Sequence, residues 1–306
     1  MANNQNLGFE HRFACVAAGG AMAGATQFDF AGSTVKKRTE VLEGAGLTGT
    51  RARYSTRTRK GVYSVGGTIS MDITPRMLDF FLPYVLGAAE ATDAFGFADS
   101  LSGFDMMDDP FGTGANAIKF GELYVNRFSL GLRGGPGGGI LRAALDVMGK
   151  TYTTGQTFPA IALSHTTGVD SPYTFYDITT FTIGGAAVEV DDADLTIENG
   201  LDVKFRAGSR AASSIRATDQ AVTLRINSAL TSTSLGSFFD DKAAADVSIV
   251  INNGTVTTTF TLESLELADE MFETRGKGDV PLVLQGLARR DSANPAFQAT
   301  VTGGSL

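Results

Sequence analysis

Few residues in this chain have the type and spacing that chemistry demands. Ser164 and His165 are adjacent, but a serine nucleophile needs a base that reaches it across the fold, and no Gly-x-Ser-x-Gly elbow accompanies them. Only His11, His165 and Cys15 occur as soft ligands. That argues against a zinc site, and a lone cysteine forbids an intramolecular disulfide. The acidic runs Asp105, Asp108, Asp109 and Glu189, Asp191, Asp192, Asp194 lack the spacing and closing glutamate of a calcium loop. They read as solvated loops or as faces that dock a basic neighbour. With 33 Asp and Glu residues, a pair of carboxylates suited to glycoside hydrolysis can be drawn almost anywhere and carries no information. The glycine run 134–139 is followed by Ile140-Leu141-Arg142, not by the Lys-Ser/Thr and helix of a phosphate-cradling loop, so it reads as a hairpin turn. Asn253-Gly254-Thr255 matches a glycosylation sequon but also reads as a tight turn. No catalytic residue, cofactor or metal is expected.

The most distinctive cluster is basic: Arg51, Arg53, Arg57, Arg59 and Lys60, interleaved with Tyr54, Ser55 and Thr56. Such a segment can contact phosphates. It lies between two strand patterns, however, within a loop expected over 44–60, and so would project as an arm and become ordered against a partner's carboxylates. Residues 1–155 carry 15 Lys and Arg against 14 Asp and Glu, and residues 156–306 carry 10 against 19. The acidic total opposes nonspecific nucleic-acid binding, which needs a basic face. Unequal halves suit a chain that meets copies of itself. Self-assembly through the arm is therefore preferred to nucleic-acid contact and to an inert loop, with Glu189, Asp191, Asp192 and Asp194 as the candidate docking face.

The elements that must position these residues are mostly strands. Alternating or β-branched patterns predict strands over 34–43, 62–73, 123–132 and 140–152, then over 175–183, 187–190, 195–197, 201–205, 221–227, 246–251, 256–267 and 280–288. Asn252-Asn253-Gly254, Asn199-Gly200 and Gly184-Gly185 mark turns. One helix is well signalled. Thr74 caps it, Pro75 opens it, Leu78, Phe81, Leu82 and Val85 recur at helical spacing, and Gly87 stops it. A weaker helix is expected over 231–241. The longest apolar stretch, near 80–87, is far too short to span a membrane, and residues 1–8 are polar without the pattern of a signal peptide. The expectation is a soluble, cytoplasmic, structural β protein.

The two halves also repeat an order of elements. TISMDIT at 68–74, followed by Leu78, Phe80 and Phe81, parallels TLRINS at 223–228, followed by Leu235, Phe238 and Phe239. NRFSLGL at 126–132 with its glycine turn and strand parallels ESLELAD at 263–269 and the strand at 282–290. The order strand, loop, strand, helix, hairpin predicts a duplication, with domains at 1–155 and 156–306 and an extra insert in the first over 88–120.

The stretch 61–87, GVYSVGGTISMDITPRMLDFFLPYVLG, with YVNRFSLGL at 124–132 and the basic loop before Gly61, resembles the major tail tube proteins of long-tailed bacteriophages, kin to the type VI secretion tube. The second half is a fainter match. The resemblance implies two tandem tube-like β-sandwich or barrel domains, each with a short helix, whose inner strands join into a closed barrel around a channel. Rings of three chains with pseudo-sixfold symmetry would stack head to tail. The alternative is one tube domain plus a decorating domain in a ring of six. The implied partners are the chain itself, the tape measure, terminator and tail-tip proteins, and genomic DNA passing through an acidic lumen without specific binding. The implied location is the virion tail, assembled in the host cytoplasm. A competing reading is a non-polymerising β-rich virion protein, such as a receptor-binding or decoration protein.

Overall fold

The computed structural model describes residues 11–44, 55–91, 93–134, 139–229, 245–272, 281–290 and 294–303. Through residue 156 the elements are β1 (Arg12–Ala17), β2 (Thr26–Gln27), β3 (Gly32–Ser33), β4 (Lys36–Glu43), β5 (Thr58–Asp72), α1 (Pro75–Leu86), β6 (Ala94–Phe95), β7 (Phe104–Asp109), β8 (Ala117–Arg133) and β9 (Arg142–Gln156). Then follow β10 (Ile178–Ile183), β11 (Ala186–Ala187), β12 (Asp192–Glu198), β13 (Leu201–Lys204), β14 (Ser214–Ala217), β15 (Ala221–Ala229), β16 (Ala245–Asn252), β17 (Thr257–Phe272), β18 (Pro281–Ala288) and β19 (Phe297–Thr302). The fold is mainly β and antiparallel, as the alternating patterns predict. The helix expected over 231–241 lies outside the described residues.

Strand pairing follows one scheme twice. In the first half β2 pairs with β1, β1 with β7, β7 with β8, β8 with β9, β9 with β5 and β5 with β4. In the second half β11 pairs with β10, β10 with β16, β16 with β17, β17 with β18, β18 with β15 and β15 with β12. Even the irregularities correspond. The ladder of β7 and β8 slips between Phe104 and Met106, and that of β16 and β17 between Ala245 and Val247. At each slip a non-glycine residue adopts positive φ, Glu122 at 50° and Ser264 at 46°. Its N–H donates to an aspartate: Glu122 to Asp105 Oδ1 at 2.9 Å, Ser264 to Asp246 Oδ1 at 3.0 Å. A bulge needs such a partner because its extra residue leaves the ladder.

The halves are hydrogen-bonded to each other. β12 lies antiparallel on the C-terminal part of β8, from Asp192 opposite Arg133 to Glu198 opposite Arg127, and β19 pairs with β6. One apolar cluster runs through both halves, from Phe13, Phe81 and Phe128 to Leu195, Ile249 and Phe260. Asn199 fastens the seam: its buried amide donates to Val85 O of α1 at 2.9 Å and to Val125 O of β8 at 3.0 Å. Asn199-Gly200 is thus a link between β12 and β13, which do not pair with each other, whereas Gly184-Gly185 closes the β10–β11 hairpin.

Helix α1 obeys its local signals. Thr74 Oγ1 accepts from Met77 N at 3.2 Å, and Gly87 in the left-handed region returns its N–H to Pro83 O at 2.8 Å. Pro75, Leu78, Phe81, Leu82 and Val85 are all buried. Phe81 meets Phe104 edge-on at 5.5 Å and Phe28 at 5.3 Å. In the first turn Arg76 Nε donates to Asp170 Oδ1 at 2.5 Å, and Asp170 also accepts from Ser164 Oγ and Thr166 N, each at 2.7 Å. Burial works against the charge of Asp170, but the bonds from Arg76, Ser164 and Thr166 outweigh it and hold the carboxyl below the ordinary range.

Two outcomes are expected. Phe81→Ala removes a ring that is 1% exposed and should cost about 3–5 kcal/mol, read as a lowered thermal midpoint; an unchanged midpoint would place the helix outside the cooperative unit. The stabilisation from Asp170 is present above the ordinary carboxylate value of 3.8 and is lost as pH falls through its lowered folded value. Asp170→Asn should therefore lower the midpoint at neutral pH and flatten its decline below about pH 4. An acid limb identical to wild type would remove Asp170 from that role.

Candidate assembly interface

The sequence-selected residues fall in three places. Arg51 and Arg53 lie outside the described residues. Arg57 ends a short 3-10 turn, while Arg59 and Lys60, expected in the loop, already belong to β5 opposite Leu42 and Val41. From β4 and the first residues of β5 the structure builds a two-stranded ribbon whose residues are mostly exposed. β9 joins β5 only from Val65 onward. The ribbon is long because two extended segments can satisfy each other's backbone groups beyond the edge of the sheet. Its root is crowded: a Cβ on Gly67 would lie 2.5 Å from Thr34 O, so glycine lets the two strands approach. Arg210, in the loop between β13 and β14, grips the root. Its carbonyl accepts from Tyr63 N at 2.9 Å, and its Nε donates to Gly61 O at 2.8 Å.

The ribbon also carries apolar surface that the sequence reading missed. Val41 is 63% and Leu42 50% exposed, so the ribbon carries apolar side chains beside its basic ones. Val41 and Leu42 continue an alternating pattern, but alternation cannot tell a ribbon in solvent from a strand in a sheet.

Glu189, Asp191, Asp192 and Asp194 occupy the approach to β12 and its start. Two are engaged within the chain. Asp194 meets Arg133 Nη2 at 3.1 Å, and Asp192 accepts from the amide of Asn227. Glu189 and Asp191 are exposed.

The other acidic run is a correction. Asp105, Asp108 and Asp109, expected in solvated loops, sit on β7, whose residues are all buried. Asp109 is held by Arg12 Nη2 at 2.6 Å and Gly114 N at 2.8 Å, and Asp105 by Lys119 Nζ at 2.9 Å and Glu122 N. Asp108 faces His11; burial pushes its carboxyl up while the histidine pulls it down. These are buried carboxylates with full partners, which is how such groups survive burial. The same residues show that the 88–120 insert contains β7, a regular member of the sheet.

Ser164 is committed to Asp170, and His165 is exposed. Cys15 is buried, and burial together with nearby Asp105 raises its thiol well above the ordinary value, away from the reactive thiolate. Among the described residues no three His, Cys, Asp or Glu side chains converge as a metal site, and no helix is long and apolar enough to cross a membrane. What stands out are sheet edges, an exposed ribbon and charged rims, the equipment of assembly.

Comparison with curated proteins finds no match. The family model of phage tail tube proteins matches residues 12–303, nearly the whole described fold, and the chain belongs to that family, as a structural protein of the phage tail.

Proposed function

We propose that the chain is the repeating subunit of the tail tube, with two tandem tube-type β domains, 1–155 and 156–306, so that three chains close a ring of six domains and the rings stack into the channel for DNA ejection. The observation that carries this reading is the doubled pairing scheme with its matching bulges at Glu122 and Ser264. A duplicated unit that already joins its own halves through β8 and β12 repeats that contact when chains meet. The tape measure, terminator and tail-tip proteins would meet the tube along its lumen and at its ends. A chain of net charge −8 suits a lumen along which DNA slides without sticking. Assembly would take place in the host cytoplasm before the tail joins the virion.

The ribbon is the proposed contact between stacked rings. Arg57, Arg59 and Lys60 supply charge, Val41 and Leu42 apolar area, and Glu189 and Asp191 on the next ring are the candidate acceptors. Each exposed pair contributes only about 0–1 kcal/mol, so the contact depends on repetition around the ring and weakens with salt.

Two experiments test these readings. Rotationally averaged electron micrographs of purified rings should show threefold symmetry with alternating subdomains. Six identical chains per ring would favour one tube domain with a decorating domain, and compact monomers would favour a non-polymerising virion protein. Replacing Arg57, Arg59 and Lys60 together by Ser should leave circular dichroism unchanged while stopping growth at single rings. Tubes of normal length from that variant would refute the ribbon contact.

A further inference from the structure

We infer that Asn199 is a site of spontaneous deamidation from which only folding protects the chain, and that the modified residue blocks refolding. Asn199 is followed by Gly200, the neighbour most favourable to this reaction, because glycine has no side chain to shield its nitrogen. That nitrogen attacks Asn199 Cγ. An N–C bond forms, the bond to Nδ2 breaks, and ammonia carries off the Gly200 proton. Water then opens the cyclic imide on one side or the other, leaving aspartate or isoaspartate.

The fold cannot avoid this labile pair. Gly200 has φ of 49°, in the left-handed region, and a Cβ there would lie 3.1 Å from Asp219 O. Asn199 spends both hydrogens of one nitrogen, on Val85 O at 2.9 Å and Val125 O at 3.0 Å, which an aspartate has no means to do. The same contacts stop the reaction in the folded chain. Asn199 is 1% exposed, and its Oδ1 accepts from Gln220 Nε2 at 3.3 Å. Asn126 holds the backbone on both sides of Gly200. Its carbonyl accepts from Asn199 N at 2.8 Å, and its Oδ1 accepts from Leu201 N at 2.9 Å. The Gly200 nitrogen is thus kept from turning onto Cγ, and ammonia has no solvent to leave into.

An unfolded chain has none of these restraints. Aspartate formed there would return a carboxylate to a buried site, facing two carbonyl oxygens that have lost their donor. Isoaspartate adds a main-chain carbon between the two backbone groups that Asn126 holds. Either product strikes the joint where β12 leaves β8 and α1.

The other Asn-Gly pair supplies a contrast within the same chain. At Asn253 the oxygen makes the turn: Oδ1 accepts from Thr255 N at 3.1 Å and Val256 N at 2.9 Å, while Nδ2 donates to Gly168 O at 2.6 Å. Aspartate keeps both accepted bonds. Asn252 and Gly254 are exposed, and Asn252 opposite Thr257 is the last pair of the β16–β17 ladder. An added carbon at Asn253 therefore shifts no register.

The test uses wild-type, full-length chain held in urea at mildly alkaline pH for increasing times, then diluted to refold. Peptide mapping of the unfolded chain should find aspartate and isoaspartate at both 199 and 253. After dilution, the soluble fraction should carry about tenfold less modified residue 199 than the aggregate, with modified 253 shared evenly. Protein kept folded in the same buffer without urea should retain Asn199 throughout. Asn199→Asp should lower the soluble yield about tenfold, and Asn253→Asp should leave it unchanged. Modified 199 shared evenly between the fractions overturns the inference. So does a folded chain that loses its Asn199 amide as fast as the unfolded one, or an unfolded chain that keeps it.

Discussion

The ladder between β8 and β12 is the constraint on which the rest of this molecule depends. It joins segments far apart in sequence, and it sits where each would otherwise present a long unpaired edge. Because it is made, β8 is flanked along its length: β7 beside its first part, β12 beside its last, β9 throughout. The apolar faces of both halves can then share one core. Asn199 is placed to guard it. A buried amide that bonds the helix and β8 at once is costly to leave unpaired, so it fixes how β12 departs from the ladder.

Local signals in the sequence were enough for local structure. Thr74-Pro75 and Gly87 mark both ends of α1 because capping is decided within a turn, and Gly184-Gly185 and Asn252-Asn253-Gly254 close hairpins for the same reason. The buried β7 was not legible. Phe-Asp-Met-Met-Asp-Asp has no apolar alternation, and it is a strand because Arg12, Lys119, His11 and the backbone at Glu122 and Gly114 come from elsewhere to meet its carboxylates. Nothing in the hexamer itself announces those partners. The ribbon was half legible: its strands were expected, its length and its exposed Val41 and Leu42 were not.

The repeat shows the same division. Similar letters suggested matching Thr68 with Thr223, whereas the strand pairings match Ile69 with Ile226. Side chains diverge freely on a sheet face so long as alternate positions stay apolar, but bulges and pairing partners cannot shift without turning every residue to the opposite face. Backbone irregularities are therefore the better guide to the repeated pairing scheme. Glu122 and Ser264 share no side-chain chemistry, only a positive φ and an aspartate that accepts the displaced N–H.

Buried and exposed charge do different work here, and the difference follows from solvent. Asp105 and Asp109 are enclosed, so their bonds to Lys119, Arg12 and backbone N–H groups fix the packing of β7 and cannot be exchanged for water without loss. Arg127 and Glu198 are about half exposed, so their attraction is screened and adds little to stability. What a half-exposed pair does well is discriminate. Reversing one sign turns a small gain into a repulsion while leaving the backbone ladder intact. The fold needs that property at the rim of the β8–β12 ladder, where hydrogen bonds alone accept any strand. It needs the opposite property inside, where the aspartates of β7 permit one arrangement only.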